Sequence, residues 1–187
     1  MPTPPVILLL SGSLRAGSSN DRVLRTARAV ADQAPEPLEA VLYEGPRGHP
    51  HNTPHTHPPP LPPRGAARRP PIRGAAAVLV CTPEYAGTLP GSFKNLLDWT
   101  VGGTEICDKP VAWVNAAAPG RGEGAAATLR TVLGYTGAAV VEEACVRVPA
   151  GGGEPDADGL LTDPAARESL ARVLALLAAA ARETGRA

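Results

Sequence analysis

A chain of 187 residues with 43% hydrophobic side chains is long enough to bury one substantial core and is read as a single domain, residues 1–187. Lysine plus arginine and aspartate plus glutamate both number 18, and this zero net charge argues against a nucleic-acid or anionic-membrane surface as the main partner. Three cysteines without paired or CxxC spacing read as free thiols, and with no basic leader and no long apolar run the expectation is a cytoplasmic protein without a membrane segment.

In chain order, Val6–Leu10 is a short, wholly apolar run, the pattern of a strand buried on both faces of a parallel sheet. Residues 20–34 place Val23, Leu24, Ala27 and Val30 on one helical stripe, and a second strand ends near Leu42. Residues 43–74 break the pattern. They hold ten of the 22 prolines and all four histidines, and proline neither donates to a ladder nor sits well inside a helix. This stretch is expected to be a Pro/His-rich irregular insertion on the surface, and the histidine spacing matches no metal-binding pattern.

Regular alternation then resumes. Strand-like runs at 75–80, 111–114 and 138–148 are separated by helix-like segments at 92–100 and 122–133. A final helix over 164–183 has Asp163 to cap it, Pro164 in its first turn, and Leu170, Val173, Leu174 and Leu177 on one face. Strands alternating with helices predict an open α/β sheet with right-handed crossovers, and five parallel strands in the order 2-1-3-4-5 would make the first and third neighbours. In such a sheet the ligand lies beyond the carboxyl ends of the strands, where strand order reverses.

Two loops fall at that point. The first, "SGSLRAGSSN" (11–20), offers the hydroxyls of Ser13, Ser18 and Ser19, the guanidinium of Arg15 and the amide of Asn20 at a helix start. A helix N-terminus adds unpaired N–H groups and partial positive charge, so the set suits a phosphate monoester. Neither GxGxxG nor GxxxxGK[ST] is present. The second loop, "TPEYAGTLPG" (82–91), supplies rigid backbone, one tyrosine and little charge, which suits a flat, largely apolar ligand. A cysteine-phosphatase cradle beginning at Cys81 would need arginine where Gly87 stands, so Cys81 is expected to be a small buried residue.

Gly12-Ser13-Leu14-Arg15-Ala16-Gly17-Ser18-Ser19-Asn20 resembles the GSxRxxSxN loop of the NADPH-dependent FMN reductase family. Thr82-Pro83-Glu84-Tyr85, continuing through Pro90-Gly91, Lys94-Asn95 and Asp98-Trp99, is similar to that family's second signature, PEYNxxxPGxxKNxxDW. The resemblance implies a flavodoxin-like three-layer α/β/α fold binding FMN, with NADPH or NADH as co-substrate. It implies that Ser13, Leu14, Arg15, Ser18, Ser19 and Asn20 belong to the phosphate loop. Thr82, Pro83, Glu84, Tyr85 and Ala86 would lie along the isoalloxazine, and the segment 115–124, with Ala116, would approach the ring's far side. The family's asparagine after the tyrosine is Ala86 here, and alanines occupy a third segment where the family often has hydroxyls. It further implies a homodimer or homotetramer, with Phe93, Leu96, Leu97, Leu129 and Val132 in core or interface positions.

The activity so implied is NAD(P)H-dependent reduction of flavin, quinone or a similar small acceptor by hydride transfer through bound FMN, with no catalytic side chain or metal required. Glu84 and Tyr85 are weighed as a base and a stacking group against plain loop roles. Two other readings stand beside it: a flavodoxin-type electron carrier, which the zero net charge disfavours, and a non-redox binding protein with a degenerate flavin site.

Overall fold

The computed structural model describes residues 3–43, 72–101 and 103–185. Five of the strands run in the order β2-β1-β3-β4-β5: β1 (Val6–Ser11), β2 (Glu39–Tyr43), β3 (Ala77–Cys81), β4 (Pro110–Asn115) and β5 (Ala139–Val140). All the pairings are parallel. The helices described are α1 (Ser19–Ala31), α2 (Gly91–Asp98), α3 (Glu123–Tyr135) and α4 (Pro164–Thr184).

Alternate residues of the central strands feed two cores, as the two-residue period of a strand requires. Ile7, Leu9, Leu79 and Val114 pack with Val23, Leu24 and Ala27 of α1 and Leu170, Val173 and Leu177 of α4. Leu8, Leu10, Val80 and Trp113 pack on the other face with Phe93, Leu96 and Leu97 of α2 and Leu129 and Leu133 of α3. The result is the flavodoxin-like α/β/α arrangement that the resemblance implied. Each large side chain so buried stabilises the fold by about 1.5–3 kcal/mol before the cost of ordering it.

The fifth strand differs from the expected run over 138–148. It is split into β5 and β6 (Val146–Arg147) by a 3-10 turn at Glu142–Ala144. Both pieces pair with β4, Val111 opposite Val140 and Val114 opposite Val146. Between those two pairs β4 advances three residues and the neighbouring chain six, so the turn takes up the excess. Glu142 and Glu143 remain exposed within it. The expected insertion lies mostly outside the described residues, at 44–71, as do its four histidines. At its described end Ile72 is fully buried in the cluster with Leu8 and Phe93, whereas Arg73 and Gly74 are exposed.

Candidate functional site

The carboxyl ends of β1, β3 and β4 open into a cleft of about 360 Å³. Ten of the twelve residues expected at a cofactor site line it: Ser13, Arg15, Ser18, Ser19, Asn20, Thr82, Pro83, Glu84, Tyr85 and Ala116. Leu14 and Ala86 do not. Leu14 is 44% exposed, and Ala86 sits at the tip of a turn. Asn115, Ala117, Arg121 and Gly122 complete the lining. Their position beyond β4 was the available signal, since the segment 115–124 follows a strand end as the other two loops do.

The first loop leaves β1 as Gly12 donates its N–H to the Cys81 carbonyl at 2.8 Å, which locks it against the start of the second loop. There is no room for a side chain there. A Cβ on Gly12 would lie 2.1 Å from Thr82 Oγ1 and 3.0 Å from Thr82 Cα. Ser11 Oγ donates to Asp21 at 2.5 Å and accepts the Ser13 N–H, while Ser13 Oγ accepts the Arg15 N–H at 3.2 Å. These bonds fold the loop back on itself and aim it over α1.

Ser18 is the N-cap of that helix, with its Oγ accepting the Asp21 N–H at 3.1 Å. The N–H groups of Ser19 and Asn20 lie in the first helical turn and have no carbonyl four residues back to bond. Asn20 is nearly buried, and its Oδ1 accepts from Cys81 Sγ at 3.3 Å, which leaves its NH2 group for the cleft. Two backbone donors, an amide, three hydroxyls and the Arg15 guanidinium are thus gathered at one end of the cleft, the chemistry of an anion seat. Burial pushes the Cys81 thiol well above its ordinary range, the opposite of a nucleophilic thiolate.

The second loop is braced by α3. Glu84 Oε2 accepts the Ala125 N–H at 3.0 Å in the first turn of that helix, so the carboxylate acts as a remote cap. Thr88 and Thr128 hydroxyls bond at 2.9 Å. Between them Gly124 lies so close to the Gly87 carbonyl that a Cβ would approach it to 2.1 Å. Tyr85 is 57% exposed at the cleft mouth.

Tyr85 and Thr88 exchange both backbone hydrogen bonds, at 2.9 and 3.1 Å, around a two-residue turn with φ of 50° at Ala86 and 75° at Gly87. Positive φ at both central positions is the I′ pattern, for which Asn-Gly is the favoured pair. Ala86 therefore carries a left-handed conformation that costs an L-residue about 1–2 kcal/mol. Ala86→Asn is expected to raise stability by about 0.5–1 kcal/mol, read as a higher urea midpoint at unchanged m-value.

The third wall runs from Asn115 to Gly122. Asn115 Oδ1 accepts the Ala117 N–H at 3.0 Å and its Nδ2 donates to the Arg121 carbonyl at 2.9 Å, closing the loop onto the strand end.

A parallel sheet with helices on both faces, and an anion seat beside a flat cleft at its switch point, define a flavodoxin-like nucleotide-binding protein. Residues 5–152 match the profile of the family described as NADPH-dependent FMN reductase. The chain is 30% identical over 174 residues to an NAD(P)H-dependent FMN reductase of Pseudomonas aeruginosa, covering 91% of this chain and 92% of that protein. It is 31% identical over 112 residues to a quinone reductase of Escherichia coli, covering 57% and 54%. Among solved structures it superposes on FerB, a flavoenzyme NAD(P)H:(acceptor) oxidoreductase of Paracoccus denitrificans, with a TM-score of 0.76 at 24% identity, covering 96% of this chain and 98% of that one. The chain belongs to the NADPH-dependent FMN reductase family. It is an oxidoreductase that uses FMN with NAD(P)H as electron donor, and the carrier and non-redox readings give way to that.

Proposed function

We propose that the cleft seats FMN with its phosphate in the 13–20 loop and its ring between the 82–86 and 115–122 walls, and that the enzyme passes electrons from NADPH or NADH to flavin, quinone or a similar small acceptor. The observation that carries this reading is the division of one cleft into an end crowded with unpaired donors and a flanking pair of walls built largely from backbone and small side chains. The residues fit the group. A phosphate monoester needs many donors, and Ser13, Arg15, Ser18, Ser19 and Asn20 supply them at the positive end of α1.

FMN, when bound, supplies hydride acceptance from a nicotinamide and onward delivery of reducing equivalents. The chain's own residues bind and orient it. Arg15 and the α1 N-terminus neutralise the phosphate, while Pro83 and Ala116 wall the ring without competing charge. Tyr85, exposed at the mouth, offers a flat face against which a planar donor or acceptor stacks and excludes water. Arg121, on the third wall, faces the same cleft and suits an anionic group of the incoming donor.

Among the described residues no helix is long and apolar enough to cross a membrane. We read the chain as a single flavodoxin-like domain with its insertion near 43–74, acting in the cytoplasm as a homodimer or homotetramer that associates through α2 and α3. Tyr135, 91% exposed at the end of α3, supports that face.

The purified protein is expected to be yellow, or to become so on titration with FMN, and to bleach anaerobically with NADPH or NADH and no partner reductase. Turnover with free flavin, quinones and azo dyes then ranks the acceptors. A protein that takes up no flavin overturns the reading, and a flavin-loaded protein that neither nicotinamide reduces overturns the donor.

A further inference from the structure

Arg147 lies outside the cleft, on β6, yet it holds the third wall together. One of its terminal nitrogens, Nη1, donates to the carbonyls of Ala117 at 2.8 Å, Ala118 at 2.7 Å and Arg121 at 2.8 Å. The other, Nη2, pairs with the Glu123 carboxylate in the first turn of α3. Parallel pairing sets Arg147 beside Asn115, whose side chain bonds the same Arg121 carbonyl, so both residues grip the loop from the strand side.

In a trans peptide the carbonyl of one residue and the N–H of the next point in opposite directions. Turning the Ala117 and Arg121 carbonyls onto Arg147 therefore turns the N–H groups of Ala118 and Gly122 away from it. Neither N–H has an acceptor among the described residues. Gly122 lines the cleft, between Arg121 and the helix that follows. Its φ of 82° and a Cβ that would fall 2.6 Å from the Asn115 side-chain amide reserve the position for glycine.

We infer that Arg147 is a positioning residue for the cofactor: it orients the 117–122 loop so that the free N–H of Gly122 faces the flavin ring and stabilises the negative charge the ring gains on reduction. This rests on the reading that FMN occupies this cleft. The effect runs through peptide orientation rather than through the guanidinium charge, because Glu123 offsets that charge at contact distance. Donors fixed before the charge develops need no reorganisation, which is why orientation matters more than proximity.

The test compares Arg147→Met, which keeps the stem and removes the donors, with Arg147→Lys, which keeps the charge but not the fork. The readouts are FMN titration of the apoprotein, the two-electron midpoint potential of the loaded protein, and thermal unfolding. Arg147→Met is expected to weaken oxidised FMN about tenfold and reduced FMN about tenfold more, which lowers the potential by about 30 mV for a two-electron couple. Arg147→Lys is expected to recover only part of the unfolding temperature and of the potential, since its one nitrogen carries three donors but cannot hold the carbonyls and the Glu123 carboxylate together. It also serves as the measurable variant where Arg147→Met does not fold. A potential and flavin spectrum unchanged in both variants, with only the unfolding temperature lowered, overturns the inference and leaves a purely structural residue. Failure of the underlying reading looks different: Arg15→Ala with Ser18→Ala then leaves FMN affinity unaltered, whatever Arg147 does.

Discussion

Arg15→Ala combined with Ser18→Ala is expected to weaken FMN binding by at least about a hundredfold while the protein still folds. A hydrogen bond to a charged group contributes about 1.5–3 kcal/mol, and the pair removes a guanidinium and a hydroxyl from the same anion seat. Ser18 is also the α1 cap, so the double variant loses about 1 kcal/mol of stability through the helix end alone. The two effects separate in the measurement. Fluorescence titration of the apoprotein reports affinity, and thermal unfolding without FMN reports the cap. Riboflavin, which lacks the phosphate, supplies the control: its affinity should hardly change. An equal loss for riboflavin and FMN would mean that the loop had collapsed rather than released a phosphate.

The second large effect is expected at Gly12. A methyl there meets Thr82 Oγ1 and Cβ at 2.1 and 2.5 Å and the Thr82 backbone at 3.0 Å. The side-chain atoms of Thr82 can rotate only in part, and the backbone has to shift. Overpacking of this kind costs about 1–3 kcal/mol. It also parts the first two loops where the Gly12 N–H meets the Cys81 carbonyl, so Gly12→Ala should lower both the unfolding temperature and FMN affinity. Thr82→Gly in the same chain removes the nearest colliding atoms and should restore part of each loss. Strictly additive losses in the double variant would show that the two positions are not in contact.

Much of the site was legible because its chemistry is local. Ser13, Arg15, Ser18 and Asn20 lie within eight residues, directly after a wholly apolar strand, and the second loop follows the next buried strand in the same way. The buried strands were legible too, since those of a parallel sheet read as unbroken apolar runs, while their order came with the flavodoxin-like resemblance. What escaped was long-range. Glu84 caps a helix 41 residues further on, and Arg147 grips carbonyls 26 to 30 residues before it. No spacing rule connects either pair. The split of the fifth strand escaped for another reason: residues 138–141 and 145–148 are apolar apart from Arg147, and hydrophobic pattern alone does not say where a ladder pauses. Ala86 was read as a missing amide beside the ring, whereas it occupies a turn that demands positive φ.

That broken fifth strand has a consequence for the rim of the sheet beside β4. A continuous border strand would present a row of open donors and acceptors to any other extended chain. Here the border comprises two segments of two residues each, parted by the 3-10 turn that bears Glu142 and Glu143. Interruption and like charge both discourage templated β-growth. Copies of this protein that meet at high concentration are thereby kept from zipping together along this margin, and self-association is left to other surfaces.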